Sequence, residues 1–305
     1  MEFENIIFTV DDGIATIKLN RPKALNALNS AINQDIMEAI ELVRADKSVR
    51  VLIMTGSERA FAAGADVKEM AEANPRYARE FCGLAIQIND ILESMPIPTI
   101  AAVGGFAFGG GCEMTLACDF RVGGPRTTLS FPEVGLGIIP GANGCARATA
   151  ILGPAKAKEL VMLTPMIPGK QALELGLLNW FAAAPEELDA KAKAAKAALK
   201  AAKSSGDEKS IEEAKAASKA AEAEAAKAEY EAIYAKAVEI AKQLCAKPGC
   251  ALAAAKAAIN KAAVETVAAG KAQETTEFTL LFDTHDQKEG MAAMIEKRAP
   301  EFTNN

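Results

Sequence analysis

A layered α/β fold is what this sequence predicts, on three observations. The chain opens with two short alternating apolar runs around an Asp-Asp-Gly turn, strand-like and helix-like segments then alternate, and glycine-rich turns separate several of them. Residues 6–10 and 14–19, joined at Asp11-Asp12-Gly13, read as a β-hairpin. Across 30–44, Ile32, Ile36, Met37, Ile40 and Val43 recur at three- and four-residue steps. That spacing marks one buried helical face, and Asn29 or Ser30 is placed to cap its start. Residues 49–55 follow as a buried strand. The cycle then repeats with a glycine-alanine loop at 62–66, a helix over 76–94, a strand at 99–103 and a glycine-rich turn into the next helix. Short extended segments at 121–122 and 128–131 precede helices near 145–163 and 168–176, and helices over about 250–268 and 274–298 close the chain.

Composition bounds the function. At 305 residues the chain is long enough for a full hydrophobic core, which excludes a small disulfide-stapled scaffold. With Lys+Arg 34 against Asp+Glu 40 the formal net charge is -6, so there is no electrostatic footprint for nucleic acid or an anionic membrane. No stretch is long and apolar enough to span a bilayer and no basic leader precedes an apolar run; the expectation is a soluble cytoplasmic protein. Six cysteines without a C-x-x-C pair are expected to be reduced, with Cys112 and Cys118 serving as small core residues. A single histidine, His285, excludes histidine-rich metal clusters and leaves a Ser-His-Asp triad no base except near the chain end. Chemistry must then rest on carboxylates, backbone amides or a cofactor.

Between 186 and 227 the sequence is almost entirely Ala, Lys, Glu and Ser, broken once at Ser204-Ser205-Gly206-Asp207. The pattern predicts a helical hairpin, with Ser205 and Glu208 at capping-box spacing and a second arm running through Tyr230, Ile233, Tyr234, Val238 and Ile240 to a stop at Lys247-Pro248-Gly249. Apart from Leu199 and Ile211 its apolar side is alanine, so helix propensity and i,i+4 pairs carry much of its stability, and a mobile protrusion is expected.

Two lone acids draw the chemistry. A strand enters the glycine triplet Gly109-Gly110-Gly111 that opens a helix, which uncovers amides at the positive end of the helix dipole. Glu113 lies in the first turn of that apolar helix, where burial is costly unless the carboxyl is hydrogen-bonded or protonated. Glu133 is likewise isolated in apolar surroundings. Converging, the two would act as an acid/base pair across one small ligand or water. Amides of Ala65 and Gly110 would form a two-donor oxyanion site; the plainer reading of each element is a tight turn, a helix cap at Glu113, and Asp66 capping the helix after its loop.

Five segments carry a resemblance: 20–28 (NRPKALNAL), 60–70 (AFAAGADVKEM), the 100–120 stretch, 131–142 (FPEVGLGIIPGA) and 290–298 (GMAAMIEKR). Together they resemble the enoyl-CoA hydratases of the crotonase superfamily over residues 1–188 and 229–303. The resemblance implies a crotonase-like α/β spiral of ββα units in 1–188, an inserted Ala-rich hairpin at 189–228, and a C-terminal helical oligomerisation region at 229–305 that builds a trimer or dimer of trimers. It further implies that Ala65 and Gly110 supply the oxyanion amides, Glu113 activates the water, Glu133 exchanges the α-carbon proton, and the Gly141 amide helps position the water. Lys23, Ala24, Leu25, Ala63, Asp66, Val67 and Lys68 would line the CoA path, with Lys297 reaching a CoA phosphate on a neighbouring subunit. No metal or cofactor is implied; the acyl-CoA thioester is the substrate. Glutamate at both acid positions favours a hydratase over a related isomerase, and intact acids weigh against a non-catalytic assembly scaffold. Gly104, Asn143 and Cys145-Ala146 depart from the family pattern, and Phe108 and Trp180 are bulkier than usual there.

Overall fold

The computed structural model describes residues 2–71, 73–205, 207–265 and 267–304. Strands β1 (Ile6–Asp11) and β2 (Ile14–Leu19) pair antiparallel, with Asp12 and Gly13 both at positive φ (48° and 75°), the turn that an Asp-Gly pair favours. Helix α1 (Ser30–Ala45) is capped by Asn29, which accepts from the Ile32 amide at 3.0 Å.

A repeated switch between two sheets then organises the chain. Strands β3 (Val51–Thr55), β5 (Thr99–Ala102) and β7 (Phe120–Gly123) join β2 in one parallel array, while β4 (Ala60–Ala62), β6 (Phe106–Phe108) and β8 (Thr128–Ser130) form a second sheet. Helices α2 (Val67–Met70) and α3 (Pro75–Ser94) separate the first pair from the second, and α4 (Gly110–Ala117) the second from the third. The chain therefore climbs as successive ββα units. Glycine makes the corners possible: a Cβ on Gly105, at φ 58°, would sit 2.1 Å from the Arg59 carbonyl of the unit below. At Gly104 a Cβ would lie 2.8 Å from the Tyr230 ring, so the departure from the family pattern there leaves room for an aromatic side chain.

Helix α5 (Gly144–Met162) bends at Gly153, with φ 74° ahead of Pro154. Then β9 (Ile167–Pro168) completes the small sheet, α6 (Gly169–Glu174) follows, and β10 (Trp180–Phe181) adds to the edge of the large one. Two three-residue strands were not anticipated: β4 runs into the expected 62–66 loop, sharing only Ala62 with it, and β6 stands where a turn was expected, because runs so short show no alternation to read.

Helices α7 (Glu186–Ser205) and α8 (Glu208–Cys245) form the expected hairpin, with the expected Gly206 lying outside the described residues. The capping residue is corrected: Ser205 ends α7, and Asp207 caps α8 by accepting from the Ser210 amide at 3.1 Å. Alanines 192, 221 and 225 line the seam between the arms. The lower half of α8 is core. Ile233, Ala237, Ile240 and Ala241 cover the face of the large sheet formed by Ile14, Val51, Ile53, Ile100 and Val122. Alternate residues of β3, Leu52 and Met54, face the main core instead, so the strand is buried on both sides. At the hairpin base Arg126 pairs with Asp189 at 2.8 Å, Glu222 at 2.7 Å and the buried Glu229 at 2.7 Å.

Three helices close the chain where two were expected: α9 (Gly249–Val264), α10 (Val267–Leu281) and α11 (His285–Glu296). The break before α11 is capped by Thr284, which accepts from the Gln287 amide at 3.2 Å. Lys256 ties α9 to the end of α3 by donating to the Leu92 and Ile97 carbonyls and pairing with Asp119 at 2.8 Å.

Arg126→Ala leaves Glu229 buried without its cation and is expected to cost about 1–3 kcal/mol in chemical denaturation. Lys191→Ala, which removes an exposed pair to Glu224, is expected to cost under about 0.5 kcal/mol; equal losses would contradict the anchoring role of Arg126.

Candidate active site

Helix α4 starts where β6 ends. Gly109, at φ 49°, donates to the Ser130 carbonyl at 2.9 Å, and a Cβ on it would lie 2.9 Å from Glu133 Oε1. Glycine is thus needed here for conformation and for the approach of a carboxyl. The amide of Gly110 has no carbonyl one turn earlier within the helix to bond to.

Facing it is the loop after β4. Leu28 and Ala65 form a parallel bridge in which the Leu28 amide donates to Gly64 O and the Asp66 amide to Leu28 O, each at 2.8 Å. Alternation along that bridge turns the Ala65 N–H to the opposite side, toward α4. A Cβ built on Gly110 would lie 3.9 Å from Ala65 N, 3.9 Å from Glu113 Oε2 and 3.3 Å from Leu28 Cδ1. One small volume is therefore bounded by the Ala65 amide, the start of α4 and the Glu113 carboxyl.

Glu113 is 2% exposed. Its Oε1 accepts from the Ala142 amide at 2.8 Å and the Gly144 amide at 2.7 Å, and the Gly141 amide faces the same carboxylate. Burial pushes its pKa up, against the pull of these donors and of the nearby Arg147 charge. Glu133 stands at the start of a 3-10 turn (Glu133–Leu136), buried, with no hydrogen-bond partner for Oε2 among the described residues. Burial, and next the charge of Glu113, push it up to about 7. The two carboxyls thus sit in different surroundings: Glu113 is held by backbone N–H donors, while Oε2 of Glu133 has no partner among the described residues.

At the mouth, Lys23 and Ala24 lie in a 3-10 turn (Pro22–Ala24), and the Leu25 carbonyl accepts from the Ala63 amide at 3.1 Å. Asp66 caps α2 through the Lys68 amide and pairs with Arg21 at 3.3 Å, while Val67 and Lys68 are exposed beside it. Glu69 holds α2 to the start of α1 by accepting from the Ser30 amide at 3.0 Å and from the Tyr77 hydroxyl. Lys297 is apart from this group: it ends α11 at φ 56°, exposed, its N–H donating to the Ala293 and Met294 carbonyls of its own helix. His285 is also elsewhere, beside Asp286 and Thr303. Ala142 and Gly144 as donors, and Arg147 and Asn89 behind them, were not anticipated. Backbone donors leave no mark in a sequence, but Arg147 is the sole charge between Glu133 and Lys156, and that was readable.

The profile of the enoyl-CoA hydratase/isomerase family matches residues 9–235 and 224–305. The chain belongs to this family. A crotonyl-CoA hydratase of Syntrophomonas wolfei is 35% identical over 303 residues, 99% of each chain, and a short-chain-enoyl-CoA hydratase of Clostridium acetobutylicum is 34% identical over the whole of both. Among solved structures, subunit I of an enoyl-CoA hydratase from Geobacillus kaustophilus superposes with a TM-score of 0.80 at 32% identity, covering all of both chains. The expected crotonase fold is therefore present. Among the described residues no helix is long and apolar enough to cross a membrane.

Gly110→Ala tests the shared volume. The methyl group would sit 3.3 Å from Leu28 Cδ1, which a small shift of that side chain relieves, and is expected to change stability by no more than about 1 kcal/mol, while blocking catalysis by occupying the space between the amides and Glu113. A thermal melt paired with thioester turnover checks this; full turnover would mean that the volume is not the reaction site.

Proposed function

We propose that this protein reversibly adds water across the double bond of a short 2-enoyl-CoA, giving a 3-hydroxyacyl-CoA. The observation that carries the reading is the convergence at Gly110: amide donors on one side, the Glu113 carboxyl on the other, and Glu133 against Gly109. The thioester oxygen accepts from the Ala65 and Gly110 amides, which stabilise the charge that develops there as water attacks. Losing one such donor costs roughly 10²–10³ in rate. Ionised Glu113 takes a proton from the water as its oxygen bonds to C3, the electrons of the double bond pass through C2 to the carbonyl, and protonated Glu133 delivers a proton to C2. Gly141, with Ala142 and Gly144, keeps Glu113 oriented toward that water. The acid, the base and the amide donors in these steps all belong to the chain, and the thioester is substrate rather than cofactor. The names of the relatives, crotonyl-CoA and short-chain-enoyl-CoA hydratases, support a short acyl chain.

The CoA moiety is assigned to the mouth formed by Lys23, Ala24, Leu25, Ala63, Asp66, Val67 and Lys68. Lys297 would act on a phosphate bound mainly by a neighbouring subunit. Exposed Ile259, Phe278, Leu280, Met294 and Ile295 on the C-terminal helices support a homo-oligomer, a trimer or a dimer of trimers. Residues 189–228 are assigned as an inserted, solvated hairpin between the spiral core and this region. Six free cysteines suit a cytoplasmic setting.

With crotonyl-CoA, followed by loss of the enoyl-thioester absorbance, Glu113→Gln and Glu133→Gln are each expected to lower kcat by roughly 10² or more while still binding a CoA thioester. Full activity in either variant overturns the assignment. Because hydration needs Glu113 ionised and Glu133 protonated, kcat/KM should fall below the Glu113 titration and again as pH rises past about 7, where Glu133 loses its proton. A profile rising through that range would contradict these roles.

A further inference from the structure

We infer that Arg147 and Asn89 are positioning residues that aim the Glu113 carboxylate by gripping Ala142 from behind, an inference that rests on the hydratase reading above. Ala142 is held at both of its polar groups. Its N–H donates to Glu113 Oε1 at 2.8 Å, and its carbonyl accepts from Arg147 Nη1 at 3.0 Å and Asn89 Nδ2 at 3.2 Å. The guanidinium is itself pinned between helices: from α5 it reaches Asp90 at 2.8 Å and Glu93 at 2.7 Å on α3, and its side chain is 7% exposed. Asn89 is 2% exposed on the same helix.

The consequence is directional. Two residues on, Gly144 also donates to Oε1, and Asn143 between them stands at φ 69°, so holding the Ala142 carbonyl fixes the peptide that joins the two donors and keeps the Ala142 and Gly144 N–H groups converged on one oxygen. Oε1 is thereby saturated and Oε2 is left toward the volume beside Gly110. Without the grip, this loop would be free to rotate its amides away, and the carboxylate would lose its aim. A displacement of about 1 Å at such a group costs on the order of 10²-fold in rate.

Charge reinforces the geometry. The groups that face Glu113 are Glu133 from the 3-10 turn, Cys112 from α4, Cys82 from α3, and Cys145 and Arg147 from α5. Arg147 is the cation among them and favours ionised Glu113, while Glu133 opposes it. Asp90 and Glu93 temper that charge without removing it.

The test compares wild type with Arg147→Ala, Arg147→Lys and Asn89→Ala, reading kcat, KM and the pH profile with crotonyl-CoA alongside a 13C NMR titration of the Glu113 carboxyl. Arg147→Ala is expected to lower kcat roughly 10- to 100-fold with KM changed less than about threefold, and to move the acid limb and the Glu113 titration to higher pH. Arg147→Lys should restore the titration toward wild type while kcat stays reduced, and Asn89→Ala should lower kcat by a smaller factor. A folded Arg147→Ala with unchanged kcat and titration reduces Arg147 to a staple between α3 and α5 and overturns the inference. If that variant does not fold, unchanged kcat and titration in Asn89→Ala overturn it instead. A wild type inactive on crotonyl-CoA refutes the hydratase reading, and the NMR titration then decides the grip on its own.

Discussion

A buried carboxylate held by backbone amides is the constraint around which this molecule is arranged. Glu113 lies in the first turn of an apolar helix, where an unpartnered charge would be untenable, and the Ala142 and Gly144 amides make it tolerable. That requirement links parts of the chain some thirty residues apart. It draws the 141–144 loop over α4, sets where α5 begins, and explains why Gly144 cannot carry a side chain: a Cβ there would meet Glu113 at 2.8 Å. Glu133 has no such donors at Oε2 among the described residues, and that contrast between the two environments underlies the acid and base roles proposed for them.

The sheet-switching spiral delivers these groups to one place. Because β4, β6 and β8 lie side by side in the small sheet, the segments that follow them, the Ala63–Asp66 loop, the start of α4 and the Glu133 turn, emerge at the same end. Glycines at the corners allow the close stacking on which that alignment rests. The large sheet lies buried between the main core and α8, and the small sheet adds Phe61, Ala62, Ala107, Leu129 and Ile167 to that same core.

Parts of this were readable from residues alone, and for identifiable reasons. The Asp-Gly hairpin, the periodic face of α1 and the alanine-rich antiparallel pair are local patterns, so local rules found them. The strands β4 and β6 are three residues long and gain their structure from neighbours distant in the chain, which no local rule sees. Thr284, followed three residues later by Gln287, was a readable cap that would have divided the closing helices correctly. In the site, Glu113 and Glu133 stood out as lone acids in apolar runs, and the glycine triplet pointed to amides near them. Gly141 and the residues of the mouth came only through the resemblance to the family. Ala142 and Gly144 act through their N–H groups, for which residue identity is nearly silent, and Ser205 was a plausible cap outcompeted by Asp207 two positions later.

The most direct measurement is a crystal structure with a bound, unreactive CoA thioester. The account predicts the thioester oxygen within about 3 Å of both the Ala65 and Gly110 nitrogens, and one water between Glu113 Oε2 and the Glu133 carboxyl. A thioester oxygen seated away from those nitrogens, or two carboxyl groups opening onto separate spaces, would contradict it.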